Sequence, residues 1–297
     1  MRKRYSFQVN GKDYLLGQRT WFMGVLNITP DSFSDGGRYF DKDKALERGL
    51  ELAADGADII DVGGESTRPG SDPVPVQEEL RRVIPVVSSL KEKTDVLISV
   101  DTTKSEVAEA AIEAGADIIN DISAFRLDSK MPLLAAQKGI SVILMHMKGT
   151  PKTMQINPYY EDLLSEIKSF LQEKIQFAQA SGINKEKIII DPGIGFGKSA
   201  ADNLILINHL NFLEELECPI LIGTSRKSFL GKILNLPPQE RSEGSIASAV
   251  MGVIRGAHIL RVHDVRSVKR AVLVAESILN EKIVVNAQGE KKEEHVC

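Results

Sequence analysis

Residues 191–198 read DPGIGFGK, and Ser199 follows: three alternating glycines between a carboxylate and a lysine. Glycine-rich runs closed by a lysine hold phosphates in P-loops, but the pattern G-x-x-x-x-G-K-[ST] needs a glycine where this chain has Pro192, which has no N–H to offer. The alternation of Gly193, Gly195 and Gly197 also departs from the dinucleotide pattern G-x-G-x-x-G. What remains is an aspartate closing the apolar run KIII, beside a loop whose backbone can be approached closely. The arrangement recurs along the chain. Asn27 follows WFMGVL, Asp61 lies in DIIDVGG, Asp101 ends VLISVD, and Asn120 with Asp121 ends DIIND. His146 ends SVILMH, Thr224-Ser225-Arg226-Lys227 follows PILIG, and Arg261 and His263 lie in HILRVHD. One polar residue at a strand end serves as a helix cap; polar residues at all eight indicate a shared site.

These side chains sort by chemistry. Asp101, Asn120, Asp191 and Lys227 mix acceptors and donors, which suits a flat heterocycle with amide and amino edges. Asn27, Arg68, Arg261 and His263 combine cationic or donor groups with one neutral oxygen ligand, a set for a phosphate or diphosphate with Mg²⁺ held by Asn27 and the phosphate oxygens. Taken alone, Arg68 reads as a surface arginine and His263 as a satisfied core or cap histidine; their neighbours move both toward function. The stretches NITPDSFSDGGRYF and GGESTRPGSDPVPV combine Gly, Pro, Ser and Asp, as expected of mobile loops that close over a substrate.

Positioning these residues requires a scaffold, and the apolar runs supply it. The eight short β-branched runs alternate with segments of helical period, among them DKALERGLELAADG, VQEELRRVIPVVSSLKEK, KSEVAEAAIEAG and EDLLSEIKSFLQEKIQFAQASG. Gly56, Gly115, Gly139 and Gly182 fall where helices end on a left-handed residue. A faint repeat, GADIIDVGG at 56–64, GADIINDIS at 115–123 and GAHILRVHD at 256–264, shares a helix stop, an alanine and a strand with polar residues at its end. Apolar strands that each lead into a helix pair in parallel with both faces covered, and eight of them close most simply into a (β/α)8 TIM barrel. An open doubly wound sheet is the alternative, without a dinucleotide fingerprint after the first strand. In YSFQVNGKDYLLG, Asn10-Gly11 between two alternating runs predicts an N-terminal β-hairpin that caps one end. No linker splits the chain. Residues 1–19 are expected to form the hairpin as part of the barrel domain, 20–282 the barrel, and 283–297, dense in charge, a disordered tail.

Composition narrows the partners. With 37 Lys+Arg against 41 Asp+Glu among 297 residues, no nucleic acid and no membrane surface is expected as a partner. The basic start MRKRYSF leads into polar sequence with no apolar h-region, and no apolar run approaches the roughly 18 residues of a membrane span. Cys218 and Cys297 form no C-x-x-C pair, which argues against a disulfide framework or thiolate zinc site and fits a cytoplasmic protein.

In order along residues 20–265, MGVLNITPDSFSDGG, IIDVGGESTRPG, SVDTTKSEVA, IINDIS, VILMHMKGTPKTMQ, IIDPGIGFGK, LIGTSRKSFLG and RVHDV closely resemble the dihydropteroate synthase family of bacterial folate synthesis. Thr103 stands where many members carry tyrosine, and GSIASAV replaces a more usual alanine-rich run; neither touches the polar positions. The resemblance implies condensation of 6-hydroxymethyl-7,8-dihydropterin diphosphate with 4-aminobenzoate to 7,8-dihydropteroate and diphosphate, by SN1-like loss of diphosphate, in an enzyme that sulfonamides target. It implies pterin binding by Asp101, Asn120, Ile122, Met145, Asp191 and Lys227, and diphosphate binding by Asn27, Arg68, Arg261 and His263 with Mg²⁺ on Asn27. It implies a 4-aminobenzoate site of Phe33, Thr67, Pro69, Lys227 and Ser228, catalytic roles for Asp101, Lys227, Asp191 and Arg261, and a homodimer. Two rival readings keep the pterin pocket: a methyltetrahydrofolate-binding methyltransferase, which has no use for the anion set, and a non-catalytic pterin-binding barrel.

Overall fold

A computed structural model describes residues 2–29, 42–68 and 70–284. Strands β1 (Tyr5–Val9) and β2 (Lys12–Leu16) form the expected hairpin, with Asn10 and Gly11 both at positive φ, the turn that matches the twist of paired strands. Among the described residues the eight further strands form one all-parallel sheet: β3 (Trp21–Asn27), β4 (Ile59–Gly63), β5 (Leu97–Asp101), β6 (Ile118–Asp121), β7 (Ser141–Met145), β8 (Ile188–Asp191), β9 (Leu221–Ile222) and β10 (Ile259–Val262). Each strand from β3 to β8 pairs with the next, and β10 lies between β9 and β3. A parallel bridge between Ile190 and Ile220 closes the ring, with the Ile190 N–H donating to the Pro219 carbonyl at 3.0 Å. This is the (β/α)8 barrel.

Helices α1 (Lys42–Ala54), α2 (Val76–Lys93), α3 (Ser105–Glu113), α4 (Met131–Lys138), α5 (Leu163–Ala180), α6 (Ala200–Asn208), α7 (Ser228–Leu234), α8 (Ser242–Ile254) and α9 (Val265–Asn280) surround it. The four glycines placed at helix ends all have left-handed φ. The period of two along each strand divides the core. Phe22, Ile60, Val62, Ile98, Val100, Ile119, Val142, Leu144, Ile190 and Leu260 face the helices. Met23, Ile59, Ile118, Ile143, Ile189, Leu221 and Ile259 fill the barrel interior, where Phe7, Val9 and Leu16 of the hairpin and Trp21 join them. The hairpin thus plugs the amino-terminal mouth, each buried side chain contributing about 1.5–3 kcal/mol. With that mouth filled, the polar strand ends are left to shape the other. Residues 30–41 of the first loop, including Phe33, together with Pro69 of the second and 285–297 of the tail, lie outside the described residues.

Candidate active site

The parity that sends Ile59 inward also sends Asp61 inward, and the same holds for Asp101, Asn120, Asp191 and Arg261 one layer above the interior apolar plug. They meet. Arg261 Nε donates to Asp61 Oδ2 at 2.6 Å and Nη2 to Asp101 Oδ2 at 2.7 Å, and Asn120 Nδ2 donates to Asp61 Oδ2 at 3.1 Å. Burial pushes the Asp101 carboxyl up to about 7; Arg261 opposes that shift, and Asp61, Glu79 and Asp121 add to it. Burial acts the other way on Arg261, but Asp61 and Asp101 outweigh it and hold the guanidinium firmly charged. Asp61 Oδ1 and the neighbouring Ser99 Oγ are buried without a hydrogen-bond partner. The floor is therefore a cation between two carboxylates with acceptor capacity to spare.

Asp121 and His146, on the opposite parity, point away from this floor. Asp121 accepts from the N–H groups of Ser123 and Phe125 at 2.7 and 2.9 Å and shapes the turn after β6. His146 packs edge-on against Phe170 of α5, with ring centroids 4.9 Å apart. Both were strand-end polar residues in sequence, and the structure gives them work outside the site.

The DPGIGFGK loop resolves into a tight wrap against the exit of β7. A Cβ on Gly193 would lie 1.9 Å from the His146 carbonyl oxygen and one on Gly197 would lie 2.6 Å from that of Lys148, both at positive φ, so only glycine fits. The wrap turns the Gly193 N–H onto Asp191 Oδ1 at 2.7 Å. Burial raises the Asp191 carboxyl to about 6, against the pull of that N–H, Lys227, Lys198 and Arg261. Across from it Lys227 caps α7, and its ammonium sits 4.1 Å from the centre of the Phe196 ring. Burial, and then Arg261, lowers the Lys227 ammonium to about 8, with Asp191 and Asp101 resisting.

Above lies a cavity of about 500 Å³, lined among others by Asn27, Thr67, Arg68, Phe196, Lys227, Ser228, Arg261 and His263. This brings the anion set together with the described members of the expected aminobenzoate set. Asp101, Asn120, Asp191, Ile122 and Met145 lie buried beneath it, the last two packed with Met147, Met154 and Phe196. His263 Nδ1 is 3.0 Å from Ser225 Oγ, and burial followed by Arg261, Arg226, Lys227 and Arg68 lowers the imidazole to about 3, leaving it neutral. The loop carrying Thr67 and Arg68 is fastened at its root. Glu65 Oε2 accepts from the Val74 N–H at 2.9 Å and from Lys104 at 2.5 Å, and the Gly70 N–H donates to the Pro151 carbonyl at 3.0 Å.

Several contributors carry no role in the sequence reading. Asp61 was visible only as one more polar strand end; its part in holding Arg261 depends on a residue 200 positions away. Phe196 sits inside the quoted loop, flanked by two glycines, and that placement was the available signal. Arg241 left none. It donates to the carbonyls of Arg226 and Lys227, both at 3.2 Å, and so holds the turn from β9 into α7, where Arg226 has φ +59°. Among the described residues no cluster of three or more His, Cys, Asp or Glu is arranged to hold a metal ion by itself. Asn27 beside Arg68, Arg261 and His263 instead suits an ion that arrives with phosphate oxygens, since Mg²⁺ commonly takes only one or two protein oxygens.

Residues 23–263 match a family described as pterin binding enzyme. A dihydropteroate synthase of Clostridium beijerinckii is 46% identical over 273 residues, covering 92% of this chain and 99% of that one. Among solved structures, a dihydropteroate synthase of Yersinia pestis in a sulfonamide drug complex superposes with a TM-score of 0.88 at 46% identity, covering 93% of this chain and 99% of that one. One from Xanthomonas albilineans with 4-aminobenzoic acid gives 0.87 at 44% identity, with the same coverages.

Proposed function

The chain belongs to the dihydropteroate synthases of the pterin-binding enzyme family, and from that premise we propose how its cavity carries out the reaction. The enzyme is a transferase that joins 6-hydroxymethyl-7,8-dihydropterin diphosphate to 4-aminobenzoate, giving 7,8-dihydropteroate and diphosphate. The observation that carries the assignment of parts is the stacking of a donor-rich cavity, with Arg68, Arg261 and His263, directly over the buried Asp61–Arg261–Asp101 floor.

The pterin lies at the floor. Asp191 accepts from its amino group and N3–H, Asn120 and Asp101 take the other polar edge, Lys227 reaches the ring oxygen and N5, and Ile122 and Met145 cover the faces. Entry of the ring requires Arg261 to swing from Asp101, which turns the guanidinium toward the diphosphate. The methylene C–O bond breaks first; its electron pair leaves with diphosphate and positive charge develops on the pterin. Asp101 and Asp191 oppose that charge, while Arg68, Arg261 and His263 donate to the leaving group. Asn27, together with phosphate oxygens of the substrate, would hold Mg²⁺, and the ion would supply charge neutralisation there. The amine of 4-aminobenzoate, seated against Thr67, Ser228 and Lys227, attacks the methylene carbon and passes its surplus proton to solvent. Sulfonamides compete for that seat. We also place the enzyme in the cytoplasm, as a homodimer.

The test is diphosphate release with pterin diphosphate, 4-aminobenzoate and Mg²⁺, each omitted in turn, with Asp191→Ala as control. Release that needs both organic substrates and is lost in the variant supports the reading. Pterin binding without release would make the barrel a binding protein or a methyl-transfer relative.

A further inference from the structure

The lysine that closes DPGIGFGK is not used by the chemistry above, yet it is one of the most buried charged side chains, 2% exposed. Its ammonium has three donors and finds three acceptors: His146 Nδ1 at 2.9 Å, the Phe196 carbonyl at 3.0 Å and the His146 carbonyl at 3.4 Å. Among the described residues no carboxylate hydrogen-bonds to it, although Asp191 and Asp202 are close enough to favour its charge. Burial lowers the ammonium to about 7. A buried cation without a bonded carboxylate is a costly way to fill space, and a methionine would fill it as well. His146 is matched to it. Burial and Lys198 hold the imidazole neutral, which leaves a lone pair on Nδ1 to accept.

What the ammonium joins is specific. His146 belongs to the exit of β7, and the Phe196 carbonyl belongs to the glycine loop after β8, between Gly195 and Gly197. Three other side chains tie the glycines on either side: Asn203 Oδ1 accepts from the Gly195 N–H at 2.7 Å, Gln155 donates to the Gly195 carbonyl at 2.9 Å, and Tyr160 donates to that of Gly197 at 2.7 Å. Phe196 is held by its own peptide at two atoms: its N–H donates to the Gly193 carbonyl at 3.1 Å within the loop, and its carbonyl accepts from Lys198, the one side chain of these four that reaches it. The Phe196 ring in turn lines the cavity and lies under the Lys227 ammonium.

We propose that Lys198 is a positioning residue: by clamping the Phe196 carbonyl to His146 it fixes the Phe196 ring as a wall of the cavity and as the platform on which Lys227 is held. The proposal rests on the site assignment above, and it specifies a chain of contacts, Lys198 to Phe196 to Lys227, that the assignment alone does not require.

The experiment is a double-mutant cycle on kcat/KM with Lys198→Met, Phe196→Ala and the double variant, alongside pterin affinity and cooperative thermal melting for each. The expected result is a loss of at least about tenfold in Lys198→Met, with a native-like cooperative melt, and little further loss when it is added to Phe196→Ala. Wild-type kcat/KM in Lys198→Met overturns the proposal, and so does full additivity, because a lysine that serves only to hold the fold would act in either background. Should Lys198→Met fail to fold, His146→Ala removes one acceptor while leaving the lysine, and the same cycle with Phe196→Ala decides by the same criterion. Asp191→Ala in the same assays separates the levels: retained pterin affinity there counts against the site assignment, whereas additivity between Lys198 and Phe196 counts against the clamp.

Discussion

Two titrating groups, His263 in the cavity wall and Asp191 beneath it, respond to ligands in opposite directions. The His263 imidazole is held near 3 by burial and by the cations around it, so a diphosphate placed among Arg68, Arg261 and His263 relieves the very interactions that keep it neutral. Its pKa rises in the complex, so proton uptake accompanies binding and affinity grows as pH falls through the bound-state value toward about 3. Diphosphate titrates too, so the imidazole's share is read from the difference between wild type and His263→Gln: calorimetry in two buffers should show more proton uptake in wild type, and equal uptake would remove His263 from the anion set. Asp191 has the opposite sign. Burial raises its carboxyl to about 6 and pterin N–H donors favour the ionised form, so binding releases a proton and affinity is lost as pH falls through about 6. A phosphate-free pterin should therefore bind progressively more weakly below that pH, and an affinity that stays flat would disconnect Asp191 from the pterin. At this scale the sequence was informative about residue type and nearly silent about partners. Asp101, Asp191 and Arg261 were legible as strand-end polar groups, but counting parity from Ile118 and Ile143 was needed to see that Asp121 and His146 face the other way.

Between residue and barrel, the repeat GAD/GAH turns out to be a device for strand starts. In each copy the glycine ends a helix, the alanine is buried, and the third residue accepts from a backbone N–H at or just before the start of the preceding strand. Asp58 Oδ2 takes Phe22 at 2.9 Å, Asp117 Oδ2 takes Ile98 at 2.8 Å, and His258 Nδ1 takes Ile220 at 3.1 Å. The repeat was visible in sequence; its meaning was not, because each acceptor serves a neighbouring strand and not its own. Asp117→Ala leaves a buried N–H unsatisfied and also removes partners of Lys91 and Asn10, so a loss of about 1–3 kcal/mol is expected from denaturant unfolding. Asp117→Asn should recover much of it through its remaining carbonyl oxygen; equal losses would mean that charge, not the acceptor, is what counts. Glycines separate the same way. Gly11 has open space around its missing Cβ and positive φ alone, so Gly11→Ala should cost about 1–2 kcal/mol. At Gly193 the added carbon meets the His146 carbonyl as well, and Gly193→Ala should cost clearly more and weaken pterin binding. Similar unfolding midpoints for the two would show that the loop yields without displacing β7.

The barrel itself was legible because eight apolar runs and their intervening helices leave few ways to cover both faces of a sheet. Closure followed from the number of strands, but the place of the seam did not: β9 has two residues, and among the described residues the isolated Ile190–Ile220 bridge seals the ring there. What the packing does not cover is equally informative at this scale. Leu204 and Ile205 on α6, Ile233 and Leu234 on α7, Met251 and Ile254 on α8, and Ile278 and Leu279 on α9 are all exposed, on helices that pack against one another. Exposed apolar side chains on adjoining helices suit the homodimer proposed above, because a closed two-fold pairing buries such a face without leaving a copy of it open. That face also connects to the site. The residue capping α7 is Lys227 and its first residue is Ser228, and Arg241, just before α8, holds the Arg226 and Lys227 carbonyls. Ile254→Glu places an unpaired charge on the face, at a residue outside the lining of the active-site cavity. Sedimentation at micromolar concentration should give the mass of two chains for the wild type and one for the variant. Because α7 and α8 anchor the loop that presents Lys227, which serves both substrates, the separated chain should also bind aminobenzoate and pterin more weakly. A wild type that sediments as a single chain would refute the dimer, and a monomeric variant with undiminished affinity for both substrates would show that the face assembles the protein without supporting the site.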